Sequence, residues 1–205
     1  MENLGLFITF EGADGCGKTT QIELLNKYLQ EKGFKTLVTR EPGAKGLGEK
    51  LREILLNYDG EVSPTCESFL FLADRAQHVN CIIKPALKEG VVVLCDRHTD
   101  STVAYQGYGR QLDIEQIKTL NNIAVGGLKP DLTIVFDIDI ETSMQRVGST
   151  KDRMESAGVE FFKRVREGFL AIAKDEPNRV KVINSNDTIE NIHKQVVKLV
   201  EEKNG

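Results

Sequence analysis

Five short runs of β-branched and aromatic residues recur along the chain and predict five β-strands. They lie at residues 6–11, 36–39, 91–96, 132–138 and 180–183, and the second run is the weakest. Most runs are apolar throughout and do not alternate with polar residues, which is typical of strands covered on both faces in a parallel sheet. Helical spacing fills the gaps, so the pattern predicts strand and helix in alternation.

Three helices are predicted from apolar spacing and capping residues. The first follows the first strand, stops near Gly33, and places on one face Ile22, Leu25 and Leu29. Ser63 and Pro64 fit the N-cap and first helical position of a second helix. The closing helix, capped by Asn186, Asp187 or Thr188, is predicted by an apolar stripe of Ile189, Ile192, Val196 and Leu199 or Val200.

The domain organisation follows from this order of elements. No repeat, low-complexity tract or linker divides the 205 residues, so a single domain over residues 1–205 is predicted. Alternating strands and helices indicate an α/β fold, doubly wound, in which helices flank a five-stranded parallel sheet. In such folds ligands bind at the carboxyl ends of the strands.

Composition narrows the class of protein. Hydrophobic residues make up 40% and charged residues 28%, which excludes a disordered tail or a membrane span. The net charge of −4 argues against a general binder of polyanions. The first apolar run is too short for a membrane anchor and no cationic segment precedes it, so a cytoplasmic protein is expected. Four cysteines without a Cys-x-x-Cys pair indicate reduced thiols.

A phosphate-binding motif follows the first predicted strand directly. It is a full match to G-x-x-x-x-G-K-[ST], formed by Gly12, Ala13, Asp14, Gly15, Cys16, Gly17, Lys18 and Thr19. Its glycines let backbone N–H groups surround a phosphate chain, while Lys18 adds a charge at the β and γ oxygens. Thr19 offers a hydroxyl to Mg²⁺. ATP or GTP with magnesium is therefore the predicted phosphoryl donor.

Several functions are compatible with a phosphate loop. A regulatory GTPase needs a guanine-reading Asn-Lys-x-Asp motif, which is absent, and the single Asp-x-x-Gly match, Asp14 to Gly17, lies inside the loop. That class is therefore disfavoured. A kinase for one of several nucleoside or nucleotide acceptors and an ATP-dependent switch or binding module both stay open.

Polar groups at other strand ends could hold a second substrate. Arg40 follows the second strand in an Arg-Glu-Pro-Gly turn, and Asp96 and Arg97 end the third. At this edge an aspartate can organise Mg²⁺, and an adjacent arginine can pair with a phosphate. A surface turn and a structural ion pair are the alternative interpretations.

Two helical segments carry groups that could recognise a base or a sugar. Ser101, Tyr105 and Gln106 combine a hydroxyl, a phenol and a carboxamide within two turns. Phe71 and Arg75 are four residues apart on the helix that starts at Ser63, so a ring and a guanidinium share one face. A solvated helix start and a core aromatic are the alternative interpretations.

Taken together, these motifs resemble thymidylate kinases, the family that phosphorylates dTMP to dTDP with ATP. The resemblance rests on EGADGCGKTT, REPG, ESFLFLADRAQH, DRH and SxxAYQG in this order and covers the chain from residue 6 to the last helix. It implies the P-loop nucleoside monophosphate kinase fold with a small lid. It also implies ATP with Mg²⁺, dTMP as acceptor, a step in dTTP biosynthesis and a homodimer.

The resemblance also implies roles for the acceptor-site residues. Phe71 is similar to the ring that stacks on thymine, and Arg75 to the donor at the edge of the base. Ser101 and Gln106 resemble the residues that line the base. Tyr105 resembles the tyrosine packed on the deoxyribose, where a ribose 2′-hydroxyl would be crowded.

Further roles concern the phosphates. Arg40 and Arg97 resemble the clamp on the acceptor phosphate, and Asp14 the loop carboxylate that meets the acceptor sugar. Gly15 occupies a position where some relatives carry a basic residue, so the resemblance implies a lid, residues 148–158, that brings the catalytic Arg153. Arg146 is similar to the residue beside the adenine. Lys18, Asp96 and Arg97 complete the implied catalytic set.

Overall fold

A parallel sheet of five strands forms the centre of the molecule. The computed structural model describes residues 5–147 and 158–204. The strands are β1 (Phe7–Gly12), β2 (Thr36–Arg40), β3 (Val92–Asp96), β4 (Leu132–Asp137) and β5 (Val180–Asn184). Their order is β2-β3-β1-β4-β5. Each predicted strand is confirmed to within about a residue, because continuous apolar runs suit a sheet buried on both faces.

Helices cover the two faces of this sheet. They are α1 (Lys18–Glu31), α2 (Leu47–Asn57), α3 (Pro64–His78), α4 (Lys84–Lys88), α5 (Thr99–Thr102), α6 (Ile114–Val125), α7 (Ile140–Val147), α8 (Val159–Asp175) and α9 (Ile189–Asn204). Two wider π-helical segments, Val79–Ile83 and Val103–Gly109, continue α3 and α5. Among the described residues, no helix combines the length and the apolar composition that crossing a membrane requires.

Side chains of β1 alternate between two packed layers. Ile8 and Phe10 join the core formed with α1 and α9, while Phe7 packs with Val79 and Val93 on the other side. Thr9 and Glu11, which share the side of Phe7 by the two-residue period, are also fully buried. β1 is therefore the central strand, and the phosphate loop that follows it starts from a fixed position.

The predicted helix signals agree with the structure at most positions. Ile22, Leu25 and Leu29 are buried, and Ser63 Oγ accepts a hydrogen bond from Cys66 N at 3.3 Å. Thr188 caps α9, since its hydroxyl accepts from Asn191 N at 3.2 Å. The placement of Ile189 on the buried stripe was wrong: as the first residue of α9 it is 52% exposed, and its backbone oxygen accepts from Gln21.

Most of the predicted lid lies outside the part of the chain that the structure describes. Residues 148–157 lie outside the described residues, and the catalytic candidate Arg153 lies there with them. Gly158, the last residue of the predicted segment, precedes α8 with a φ of 87°, a conformation that favours glycine.

Candidate active site

The carboxyl ends of β1, β2 and β3 bring the sequence motifs together. In the sheet register Asp96 lies beside both Phe10 and Arg40, so the phosphate loop, the Arg40 turn and the Asp96–Arg97 bend meet at one edge. One cavity opens there. It is lined by ten residues that the sequence predicted: Asp14, Thr19, Arg40, Phe71, Arg75, Asp96, Arg97, Ser101, Tyr105 and Gln106.

The phosphate loop has the backbone geometry that its glycines permit. Gly12 adopts φ 135°, and a Cβ there would lie 2.6 Å from the carbonyl oxygen of Phe136. Lys18 is buried and folds back over the loop, where its Nζ donates to the oxygens of Gly12 (3.2 Å) and Ala13 (3.0 Å). The ammonium group is therefore held over the loop by weak carbonyl acceptors that a phosphate oxygen can replace.

Helix α7 contacts the same loop. Ser143 Oγ in α7 donates to the carbonyl oxygen of Asp14 at 2.6 Å, and Arg146 Nη1 lies 3.5 Å from that of Gly15. The structure thus places Arg146 beside the phosphate loop, as a nucleotide-binding residue requires. Its role beside the adenine stays a prediction.

Arg97 is aimed at the phosphate loop by an uncommon backbone conformation. Its φ of 68° lies in the left-handed region, which residues with a Cβ rarely adopt. The guanidinium donates to Gly12 O (3.0 Å), Ser101 Oγ (3.2 Å) and Asp14 Oδ1 (2.8 Å), and lies 5.0 Å from the centre of the Tyr105 ring. These bonds use three of its five N–H groups, so it retains donors toward the cavity.

The positive charge of Arg97 also lowers the pKa of Asp14. Burial alone would raise the pKa of Asp14, but the positive charges of Arg97 and Lys18 outweigh burial and lower it. Asp14 therefore stays a carboxylate at neutral pH.

A π-helical segment supplies the ring of Tyr105 and the carboxamide of Gln106. Its wider turn is marked by the hydrogen bond from Arg110 N to Tyr105 O at 2.9 Å. α8 packs closely against it, and a Cβ at Gly109 would lie 2.6 Å from the Phe161 ring. The Tyr105 hydroxyl is buried and has no hydrogen-bond partner among the described residues, which leaves it available to a ligand.

Gln106 is fixed by a second layer of polar contacts. Its Nε2 donates to Glu67 Oε1 at 3.0 Å, and Arg110 pairs with the same carboxylate at 3.1 Å. The amide orientation is therefore set, and this contact uses one of the two N–H groups of Nε2.

Arg75 lines the cavity, but its guanidinium makes more hydrogen bonds to the protein than the sequence predicted. Its guanidinium donates to Glu41 Oε2 (2.8 Å), Thr102 Oγ1 (2.6 Å), Asn121 Oδ1 (2.6 Å) and His98 O (2.9 Å). Four of its five N–H groups are thus used by the protein, and one N–H of Nη2 is left. Half-buried Phe71, one turn away, presents its ring to the same cavity.

Glu41 is the centre of a buried polar cluster behind the cavity. Besides Arg75, its carboxylate accepts from His78 Nδ1 (2.9 Å) and His98 Nδ1 (3.0 Å). Burial would raise the pKa of Glu41, but the Arg75 charge and the histidine contacts hold it well below its ordinary value. Burial in turn lowers the pKa of His98.

Glu41, Cys95 and His98 also lie close enough together to ligate a metal, with ligand atoms within 4.8 Å of one another. The Glu41 oxygens are already occupied by Arg75 and two histidines, and burial raises the pKa of the Cys95 thiol well above its ordinary value. A protonated thiol and an adjacent guanidinium disfavour a cation. This group is therefore part of a hydrogen-bonded cluster. All four cysteines are free thiols, as predicted.

The residues predicted to hold Mg²⁺ fit that ion chemically. Thr19 and Asp96 line the same cavity. Asp96 Oδ1 is buried and has no hydrogen-bond partner among the described residues. Buried carboxylate oxygens normally contact a hydrogen-bond donor or a cation, so this atom is suited to bind one. Oxygen ligands of this kind are those Mg²⁺ prefers.

Sequence reasoning missed two charged residues of the site. Arg52 in α2 lines the cavity, donates to Pro42 O at 2.9 Å and contributes to the lowered pKa of Asp14. No motif surrounds it. Glu41 lies inside the Arg40–Gly43 motif, but its partners come from distant parts of the chain, so its central position has no local signal.

Comparison with known proteins agrees with these observations. The family model described as thymidylate kinase matches residues 10–196. A thymidylate kinase of Pelotomaculum thermopropionicum is 50% identical over 202 residues, covering 97% of this chain and 94% of the relative. One of Trichodesmium erythraeum is 47% identical and covers 98% of this chain and 96% of its own.

A solved structure shares the architecture as well. The crystal structure of thymidylate kinase from Ehrlichia chaffeensis superimposes with a TM-score of 0.80 at 38% sequence identity. The alignment covers 96% of this chain and 98% of the other. The five-stranded parallel sheet flanked by helices is thus the P-loop nucleoside monophosphate kinase fold.

Proposed function

Because the chain belongs to the thymidylate kinase family, we propose that its cavity binds dTMP beside the phosphate loop and that it transfers the γ-phosphoryl group of ATP to it. The products are dTDP and ADP. The observation that carries this proposal is the single cavity shared by Asp14 and Thr19 of the phosphate loop and by Phe71, Arg97 and Tyr105 of the acceptor motifs.

The transfer needs positioning and charge neutralisation more than acid–base chemistry. A phosphate oxygen of dTMP attacks the γ-phosphorus, a new P–O bond forms, and the bond to the β-phosphate oxygen breaks. The acceptor is already anionic, so no general base is required. In this mechanism Lys18 neutralises the β and γ oxygens, and Arg97 with Arg40 orients the acceptor phosphate.

Mg²⁺ is the cofactor of this reaction, with Thr19 and Asp96 as the residues that would hold it. When bound, the ion neutralises charge on the transferring phosphoryl group. The unpartnered Asp96 Oδ1 supports this assignment.

The remaining assignments follow the resemblance and the cavity. Phe71 stacks on the thymine, Arg75, Ser101 and Gln106 contact its edge, and Tyr105 packs on the deoxyribose. Arg146 lies beside the adenine. Arg153, which falls outside the described residues, is proposed to bring the positive charge that the loop lacks at Gly15.

A label-transfer experiment tests the reaction class. With γ-labelled ATP, Mg²⁺ and dTMP, the label is expected in dTDP, with one ADP released per dTDP. A switch or binding module would instead release labelled inorganic phosphate slowly and without dependence on dTMP. That outcome would overturn the proposed function.

Tyr105 provides a prediction about sugar selection. Tyr105→Ala is expected to lower the preference for dTMP over its ribose counterpart by about tenfold, because the ring no longer crowds a 2′-hydroxyl. Tyr105→Phe keeps the ring and is expected to retain the preference. The ratio of kcat/KM for the two acceptors measures this; an unchanged ratio in Tyr105→Ala would remove the assignment.

Asp96 provides a prediction about the cation. Asp96→Asn is expected to reduce kcat by about 10- to 100-fold at saturating ATP-Mg²⁺, since the amide cannot offer the ion a negative charge. The KM for dTMP should change little. Asp59→Asn, an exposed acidic residue on a loop, serves as the control. Equal kcat values for the two variants would contradict the role of Asp96.

The oligomeric state and the location in the cell stay predictions. On α3, Leu72 belongs to the core, whereas Phe69 is 54% exposed and Leu70 is half-buried. Of these three residues, Phe69 and Leu70 are therefore available to the homodimer that the resemblance implies. A cytoplasmic location is consistent with the described helices but is not tested by them.

A further inference from the structure

Glu11 is a buried carboxylate that contacts the acceptor machinery without lining the cavity. It lies in β1, directly before the phosphate loop, and is 0% exposed. Its Oε1 accepts from the backbone N–H of His98 at 2.8 Å, and its Oε2 accepts from Ser101 Oγ at 2.5 Å. Both partners belong to the segment that follows β3, so Glu11 is connected to the cavity through that segment.

The first partner of Glu11, the backbone N–H of His98, helps to fix the bend at Arg97. A left-handed conformation at an arginine has to be held by its neighbours. Here Arg97 N donates to Phe10 O at 2.9 Å, and the next N–H, that of His98, donates to Glu11. Two consecutive residues of β1 therefore hold the bend, and Glu11 contributes the side-chain part.

The second partner, the hydroxyl of Ser101, connects Glu11 to the Arg97 guanidinium. A serine hydroxyl has one proton, and that of Ser101 is donated to Glu11. The Ser101 oxygen is then free to accept from Arg97 Nη1, which lies 3.2 Å away. The guanidinium can only donate, so the order of donors runs from Arg97 through Ser101 to Glu11, and Ser101 links the carboxyl group to the guanidinium.

The surroundings of Glu11 bring its pKa close to neutrality. Burial and the neighbouring Asp100 carboxylate raise the pKa of Glu11 to about 7, while Ser101, Arg97 and the His98 amide oppose that shift. Arg179 donates to both oxygens of Asp100, at 2.7 and 2.9 Å. A buried carboxyl group whose pKa is shifted this far by burial and specific charged neighbours is typical of a functional site.

We propose that Glu11 is a positioning residue for acceptor binding, which holds Arg97 and Ser101 in the orientation that binds the phosphate and base of the monophosphate. This inference rests on the proposed function and extends it to a residue outside the cavity. A purely structural Glu11 would weaken the binding of both substrates together. Replacing a positioning residue would weaken the binding of the acceptor and leave the binding of ATP unchanged.

Two substitutions of Glu11 and one matched control test the proposal. Glu11→Gln keeps the shape and removes the charge, and it is expected to raise the KM for dTMP about tenfold. Glu11→Leu removes both acceptors, with an expected rise of about 100-fold. The KM for ATP should stay within about twofold in each variant. Thr9→Val, on the same face of β1 and bonded to Thr133, should lower the melting temperature and leave both KM values unchanged.

A double-mutant cycle separates positioning from a general defect. If Glu11 acts through Arg97, Glu11→Gln should cost less than about twofold in kcat/KM for dTMP when Arg97→Ala is already present. Equal rises in the two KM values, an unchanged KM for dTMP, or multiplicative losses in the cycle would each overturn the proposal. If Glu11→Leu does not fold, Glu11→Gln and the double-mutant cycle still test the positioning role of Glu11. A wild-type enzyme without dTMP turnover would instead overturn the proposed function.

Discussion

Replacing Arg97 with alanine is expected to lower kcat/KM for dTMP by about 100- to 1000-fold. The guanidinium is held by Gly12, Ser101 and Asp14 at the point where the phosphate loop meets the acceptor cavity. Its removal takes away the positive charge that orients the acceptor phosphate. It also leaves the Asp14 carboxylate without its closest cation, which adds repulsion toward an incoming dianion.

Steady-state kinetics with both substrates check this result. Arg97→Lys keeps the charge but loses the forked geometry, so an intermediate loss is expected. Lys181→Ala removes a cation from β5, at the opposite edge of the sheet, and should leave kcat/KM unchanged. An Arg97→Ala variant within threefold of the wild type would show that another residue binds the phosphate.

Glu41→Ala is expected to destabilise the fold by about 3–5 kcal/mol. The substitution leaves the buried Arg75 charge without its carboxylate and removes the acceptor of two histidine N–H groups. Urea unfolding measures the loss. Glu115→Ala breaks an exposed pair with Lys118 and should change the free energy of unfolding by less than about 0.5 kcal/mol. A loss below about 1 kcal/mol in Glu41→Ala would contradict the account of this cluster.

The same cluster predicts a direction of pH dependence. The pKa of Glu41 in the folded protein lies well below its ordinary value of 4.5. A carboxylate of this kind contributes stability that is fully present above the unfolded pKa and is lost as the pH falls through the folded pKa. The contribution of Glu41 should therefore persist at neutral pH and disappear only in acid.

Much of the fold and the members of the site could be predicted from local sequence. Apolar runs identify strands whose two faces are buried, and the phosphate motif fixes its own loop between β1 and α1. The carboxyl ends of neighbouring parallel strands converge, so the predicted residues meet in one cavity. This is why Arg40, Phe71, Arg97 and Tyr105 are found together.

What the sequence did not reveal depends on contacts between distant segments. Glu41 gains its partners from α3 and from the bend after β3, and Glu11 gains its partners from the same bend. The four hydrogen bonds that engage Arg75 also come from separate elements. Ile189 follows the helical period but occupies the first turn of α9, where the period alone does not determine burial.

Acceptor selectivity tests the central claim most directly. ADP release with ATP-Mg²⁺ would be measured in parallel with dTMP, dUMP, dCMP, AMP, GMP and thymidine. The account predicts the highest kcat/KM for dTMP, with little or no turnover of the purine nucleotides and thymidine. Preferred turnover of another acceptor would contradict the roles of Phe71, Arg75 and Tyr105 in a cavity that selects a thymine deoxynucleotide.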